Sequence, residues 1–155
     1  QALAGDAELV ALARQHLLDA SDDATARNVR CEWPDSLPVW PHPVNPALLD
    51  VLLRNLVDNA VRYTPAGGRV WLEDAGQGWL TLANDAPETL DAETLARLGE
   101  RFFRPAGQSA SGSGLGLSIA RRAARLCGLE LSLSLRDGVF RAHLRTSTTR
   151  LASRG

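Results

Sequence analysis

Residues 45–65 read NPALLDVLLRNLVDNAVRYTP. Asn45 ahead of Pro46 is a helix start, a side-chain cap followed by a residue whose missing N–H costs nothing in a first turn. Leu49, Leu52, Leu56 and Ala60 recur at helical spacing, so one stripe of this helix faces a core. Thr64 stands before Pro65, and a residue preceding proline is pushed out of helical backbone, which ends the helix at Tyr63.

The segments on either side alternate between helix and strand. Residues 1–20, QALAGDAELVALARQHLLDA, place Leu3, Leu9, Leu12, Ala13 and Leu17 on one side and predict an amphipathic helix. NVRCEW (28–33) predicts a short strand, after which Pro34, Pro38, Pro41 and Pro43 predict no regular structure up to position 45. RVWLEDA (69–75) and WLTLAN (79–84) form a hairpin around Gly76-Gln77-Gly78. DAETLARLGE (91–100) predicts a short helix capped by Asp91, and residues 101–112 a loop. From Leu115 to Cys127 the residues Leu115, Ile119, Ala123 and Leu126 share a helical face, with Gly128 as the stop. LELSLSL (129–135) and VFRAHL (139–144) alternate around Asp137-Gly138, a hairpin signal, and the polar stretch 147–155 is expected to be a frayed tail. The sum is a two-layer α/β sandwich, with a mixed, mostly antiparallel sheet and helices on one face.

Composition narrows the functional classes. The chain has 155 residues, 45% hydrophobic and 23% charged, with a formal charge of −1, which gives no general electrostatic pull toward nucleic acid or an acidic membrane. Any anion must be held locally. Every one of the 17 basic residues is arginine. Two cysteines, Cys31 and Cys127, make neither a disulfide framework nor a zinc site and suit a reducing compartment. No apolar run reaches the roughly 18 residues of a membrane span, and no signal-peptide pattern opens the sequence.

Two stretches carry chemistry. Asn55 and Asn59 are four apart, so their amides share a helix face beside the apolar stripe, with Arg62 nearly one turn further on. Amide oxygens are hard, neutral ligands suited to magnesium when a substrate's phosphates already supply negative charge. In SGSGLGLSIARR (111–122), Gly112, Gly114 and Gly116 let backbone N–H groups converge at a helix start whose dipole adds positive charge, the makings of an anion cradle. A flexible linker is the competing reading, but Leu115, Leu117 and Ile119 anchor the turn in a core as a Gly/Ser linker does not. A Walker-type loop is excluded, because it needs lysine and the chain has none.

Taken in order, NLVDNAVRYTP (55–65), LARLGERFFRP (95–105) and GSGLGLSIARR (112–122) resemble the N box, F box and second glycine box of the ATP-binding domain of bacterial sensor histidine kinases. That fold is shared with DNA gyrase B, the heat-shock chaperone of the ninety-kilodalton class and MutL, and the likeness covers about 45–145, nearest to kinases of the quorum-sensing sensor type. The resemblance implies ATP and Mg²⁺ as ligands. It gives Asn59 and Asn55 to the metal, Asn59 and Arg62 to catalysis, and Arg62 and Tyr63 to the lining of the nucleotide site. Phe102 and Phe103 would anchor a lid over ATP, with Arg101 and Arg104 reaching phosphate oxygens when it closes. Gly112, Ser113, Gly114, Leu115, Gly116 and Leu117 would lie against the phosphates.

The first glycine box departs from the pattern. That box reads D-x-G-x-G, its aspartate accepting from the adenine amino group, whereas this chain has Asn84-Asp85-Ala86-Pro87-Glu88. Aligned on Pro87, Asn84 takes the aspartate's place, Asp85 follows, and Ala86 and Glu88 replace the glycines. A neutral acceptor makes a weaker hydrogen bond than a carboxylate by about 1 kcal/mol. His16, His42 and His143 lack the H-E-x-R-x-P setting of a phospho-acceptor, and Arg54 precedes Asn55 where a general base is wanted. The resemblance therefore implies a catalytic domain over 21–146, with residues 1–20 a linker helix from a dimerisation and phosphotransfer region. It further implies a response regulator as partner, no nucleic acid, a monomeric isolated domain within a homodimeric whole, and a cytoplasmic domain of an inner-membrane sensor. The alternative is a non-catalytic nucleotide-sensing module.

Overall fold

The computed structural model describes residues 7–88 and 115–146. The helix predicted over 91–100, the loop over 101–112 and the tail over 147–155 lie outside the described residues. In chain order the elements are β1 (Ala7–Glu8), α1 (Leu9–Ala26), β2 (Arg30–Glu32), β3 (Pro41–His42), α2 (Pro46–Tyr63), β4 (Arg69–Gly76), β5 (Trp79–Asp85), α3 (Leu115–Leu126), β6 (Leu129–Arg136) and β7 (Val139–Thr146).

The expected sandwich forms. Five strands lie in the order β2-β4-β5-β7-β6, with β2 parallel to β4 and every other neighbour antiparallel. Val70, Leu72, Leu80, Leu82, Ala142 and Leu144 form one face and join the buried residues of α1, α2 and α3 in a single core. Apolar area removed from water on this face drives the two layers together. The opposite face is polar: Arg141 donates to both carboxylate oxygens of Glu73 at 2.7 and 2.8 Å. Next to that pair, His143 bridges Thr81 Oγ1 at 3.1 Å and Ser134 Oγ at 3.2 Å.

Helix α2 begins and ends where its sequence says. Asn45 Oδ1 accepts from the Ala47 N–H at 2.8 Å, and Thr64, in extended backbone, closes the other end with its hydroxyl donated to the Ala60 carbonyl at 2.6 Å. The hairpins turn at Gln77-Gly78 and Asp137-Gly138, and φ values of +87° at Gly78 and +55° and +77° at Asp137 and Gly138 are what tight reversals of right-twisted strands demand.

Three local expectations fail. The buried face of α3 runs through Leu117, Ala120 and Ala124, whereas Ile119, expected in the core, and Leu126 are 40% and 62% exposed. The proline-rich stretch is not free of regular structure, because Pro41–His42 pairs antiparallel with Ala7–Glu8. Proline is tolerated there because a two-residue edge asks little of its backbone. Helix α1 runs over 9–26 rather than 1–20, and Leu3 lies outside the described residues. Its start is set by Glu8, whose carboxylate accepts from the N–H groups of Val10, Ala11 and, across the fold, Trp40 at 2.6 Å. Its extension through Ser21 is possible because the Ser21 hydroxyl bonds back to the Leu18 carbonyl. Leu9, Val10, Ala13 and Leu17 are buried in the common core, so α1 is one element packed against α2.

Candidate functional site

Between α2 and α3, on the helical face of the sheet, lies a narrow cleft. Its walls are Leu56, Asn59, Ala60 and Tyr63 of α2, Leu82 and Asn84 of β5 with Pro87 beyond it, Leu117 of α3, and Phe140 and Ala142 of β7. None of these side chains carries a full charge at neutral pH, and most of the surface is aliphatic or aromatic. Such a lining, apolar with a few fixed polar atoms, suits a flat, small organic group.

The polar atoms are held by the chain itself. Asn59 is only 7% exposed, and its Nδ2 donates to the Asn55 carbonyl at 2.8 Å, one turn back along α2. That bond fixes which end of the amide faces away from the helix. Its Oδ1 is buried and accepts no hydrogen bond among the described residues. A buried acceptor without a donor costs about 1–3 kcal/mol, which a protein tolerates where a ligand completes the atom's shell. Asn55 likewise returns its Nδ2 to the Val51 carbonyl at 2.8 Å, and it sits outside the cleft lining. Asn84, 3% exposed, donates Nδ2 to the Asp85 carbonyl at 2.9 Å, which leaves Oδ1 as the acceptor end of that amide. Leu117 is in the first described turns of α3, so this end of the helix, where its dipole is partly positive, stands at the rim.

The sequence of residues 44–149 matches the profile of the family described as histidine kinase-, DNA gyrase B- and HSP90-like ATPase. The chain belongs to that family. Among curated relatives of this ATPase domain, the sensor protein QseC of Escherichia coli (strain K12) is 47% identical over 98 residues, 63% of this chain and 21% of the relative. The sensor protein CreC of the same organism is 36% identical over 118 residues, 71% of this chain and 25% of the relative. The chain thus spans about a fifth to a quarter of the curated relatives it matches. Among solved structures, the mycobacterial sensor histidine kinase MprB superposes with a TM-score of 0.74 at 23% identity, covering 90% of this chain and 95% of that one. The catalytic domain of the histidine kinase ThkA gives 0.71 at 21% identity, covering 94% and 97%. Both carry the same fold.

Several residues expected at an ATPase site come together in the cleft: Asn59, Tyr63, Asn84 and Leu117 all line it. Leu115 and Gly116 form the first turn of α3. Besides Asn55, two do not join them. Arg62 is exposed at the end of α2, and Asp85 turns away, its carboxylate accepting from the Arg69 N–H at 2.8 Å to fasten the start of β4 to the end of β5. Phe102, Phe103, Arg104, Gly112, Ser113 and Gly114 lie outside the described residues. Sequence reading missed Pro87, Phe140 and Ala142 as lining. Phe140 was within reach of the pattern, since the β5–β7 register sets it directly opposite Asn84.

Proposed function

We infer that this chain is the catalytic domain of a sensor histidine kinase, which positions Mg-ATP for phosphoryl transfer to a histidine on a dimerisation domain. The observation that carries the reading is the buried, unpartnered Oδ1 of Asn59 in a cleft shared with the start of α3. The donor set fits magnesium: a hard, neutral amide oxygen beside which phosphates supply the charge. Asn59, with Asn55 one turn earlier, would hold the ion, which when bound offsets the negative charge of the phosphates. Leu56, Leu82, Leu117 and Phe140 enclose the base and exclude water, Asn84 Oδ1 accepts from its exocyclic amino group, and the first N–H groups of α3 face the phosphates. Arg62, exposed beside Tyr63, reaches the nucleotide from the rim.

The phospho-accepting histidine belongs to a dimerisation and phosphotransfer region joined through the segment that leads into α1, and the whole protein is a homodimer in an inner membrane with this domain in the cytoplasm. A response regulator takes the phosphoryl group onward. The replacement of both glycines of the first glycine box by Ala86 and Glu88 favours a second reading, a domain that binds nucleotide without transferring phosphate. Calorimetric titration of ATP into the chain tests the shared part of both readings: magnesium-dependent binding that Asn59→Ala weakens at least tenfold is expected. Equal binding by both proteins contradicts the assignment. Transfer of labelled phosphate to a phosphotransfer domain supplied in trans then separates kinase from sensor.

A further inference from the structure

Strand β6 ends the sheet, and among the described residues it pairs only with β7. Its sequence, LELSLSLR (129–136), is a palindrome about Leu133 in residue type and an antipalindrome in charge. Ser132 mirrors Ser134, Leu131 mirrors Leu135, and Glu130 mirrors Arg136.

The backbone directions suit that symmetry. Thr146 donates to the Gly78 carbonyl and Ala86 to the Gly138 carbonyl, so the even-numbered residues of β7 hydrogen-bond to β5 and the odd-numbered ones to β6. In the β6–β7 register the odd residues of β7 face Glu130, Ser132, Ser134 and Arg136. The N–H and C=O groups of Leu131, Leu133 and Leu135 therefore point to the open edge. Natural edges of this length are blunted by proline, bulges or lysine. Here the β6–β7 register is unbroken, the strand has no proline and the chain no lysine. Among the described residues the one guard is Arg121, whose Nη1 reaches the Leu131 carbonyl at a long 3.4 Å.

In place of the monomeric isolated domain that the family resemblance implies, we propose that β6 is a docking edge for a second copy of this chain, pairing antiparallel with its counterpart in the register centred on Leu133. Leu133 then faces Leu133 and Leu131 faces Leu135 as hydrogen-bonded pairs. Glu130 faces Arg136 twice, at the non-hydrogen-bonded positions where side chains lie closest. Slipping the two strands by two residues in either direction sets Glu130 against Ser134 or Gly138, and both ion pairs are lost. Because the axis is two-fold, every contact is made twice, and the two sheets join into one with their helices on the same face. Arg121 swings off the Leu131 carbonyl as the partner's N–H replaces it.

Sedimentation of the chain over a concentration series, with amide hydrogen exchange on the same samples, tests this. A reversible monomer–dimer equilibrium is expected, and Glu130→Arg and Arg136→Glu each weaken it roughly tenfold through two like-charge contacts per dimer. The double variant E130R/R136E restores it. Amides of Leu131, Leu133 and Leu135 gain protection with concentration, whereas those of Ser132 and Ser134, already bonded to β7, do not change. Leu133→Pro removes an edge donor without touching the β7 ladder and abolishes the dimer; the exposed charge variants carry the test should that variant misfold. A chain that stays monomeric into the millimolar range overturns the proposal. So does a dimer indifferent to the single charge changes, which must join by another face or register.

Discussion

Replacing Asn59 with leucine is expected to stabilise the nucleotide-free domain while removing its hold on magnesium-bound ATP. Asn59 is 7% exposed, with its Oδ1 buried and unpartnered. Relief of an unsatisfied buried acceptor is worth about 1–3 kcal/mol, against which the lost Nδ2 bond to the Asn55 carbonyl counts about 1 kcal/mol. That carbonyl keeps its helical bond from the Asn59 N–H, so nothing new is orphaned. Leucine has nearly the volume of asparagine plus a methyl group, and it meets the apolar side chains of Leu56 and Leu117 across the cleft. The balance is a gain of up to about 2 kcal/mol, or up to roughly 8 °C in midpoint for a domain of this size. Thermal unfolding followed by circular dichroism without nucleotide, paired with calorimetric titration of ATP and magnesium, reads both halves. A variant that melts below the parent, or one that keeps magnesium-dependent affinity, refutes the reasoning.

One further perturbation has opposite signs in binding and folding, and two act on folding alone. Asn84→Asp restores a carboxylate acceptor and should raise ATP affinity by roughly fivefold; it also sets a buried charge against the Asp85 carbonyl that Nδ2 now bonds, so the unliganded domain should melt lower. Gly68→Ala would bring a Cβ within 2.7 Å of Thr64 Cγ2 and 3.0 Å of the Pro65 carbonyl, and chemical denaturation should show a loss of about 1–3 kcal/mol. His143 is held below its ordinary pKa by burial first and by Arg145 and Arg141 second. It is neutral in the fold, so below about pH 6.5 the unfolded chain takes up the proton the folded one refuses, and stability falls with pH through that window. A His143→Gln variant should flatten that part of the stability profile, and an unchanged slope would assign it to other groups.

The fold was legible wherever the determining chemistry is local. Asn45-Pro46 and Thr64-Pro65 bracket α2 because cap and stop act on their own backbone, and Asp137-Gly138 sets the last hairpin for the same reason. What escaped depends on distant partners. Strand β3 exists because Ala7–Glu8 comes alongside it, and Glu8 starts α1 while also holding Trp40, which no window of sequence displays. The shift between Leu72 and Asp74 in the β4–β5 register is likewise invisible in an alternating run. Of the site, Asn59 and Leu117 line one cleft, whereas Asn55, one turn earlier on α2, sits outside its lining. Asp85 stays out of the cleft lining because its carboxylate accepts from the backbone N–H of Arg69, sixteen residues earlier in the chain. Neighbouring Asn84 and Asp85 look equivalent in sequence, but alternate residues of a strand face opposite sides of the sheet.

The central claim is that one ligand meets the amide wall of α2 and the first turn of α3 together. Titrating ATP, with and without magnesium, into isotopically labelled chain and following the side-chain amides of Asn59 and Asn84 and the backbone amide of Leu117 tests it most directly. All three should shift at one common affinity, the Asn59 amide only when magnesium is present, while Thr81, Arg141 and His143 on the far face of the sheet stay unmoved. Shifts on that far face with Asn59 and Leu117 silent would contradict the account.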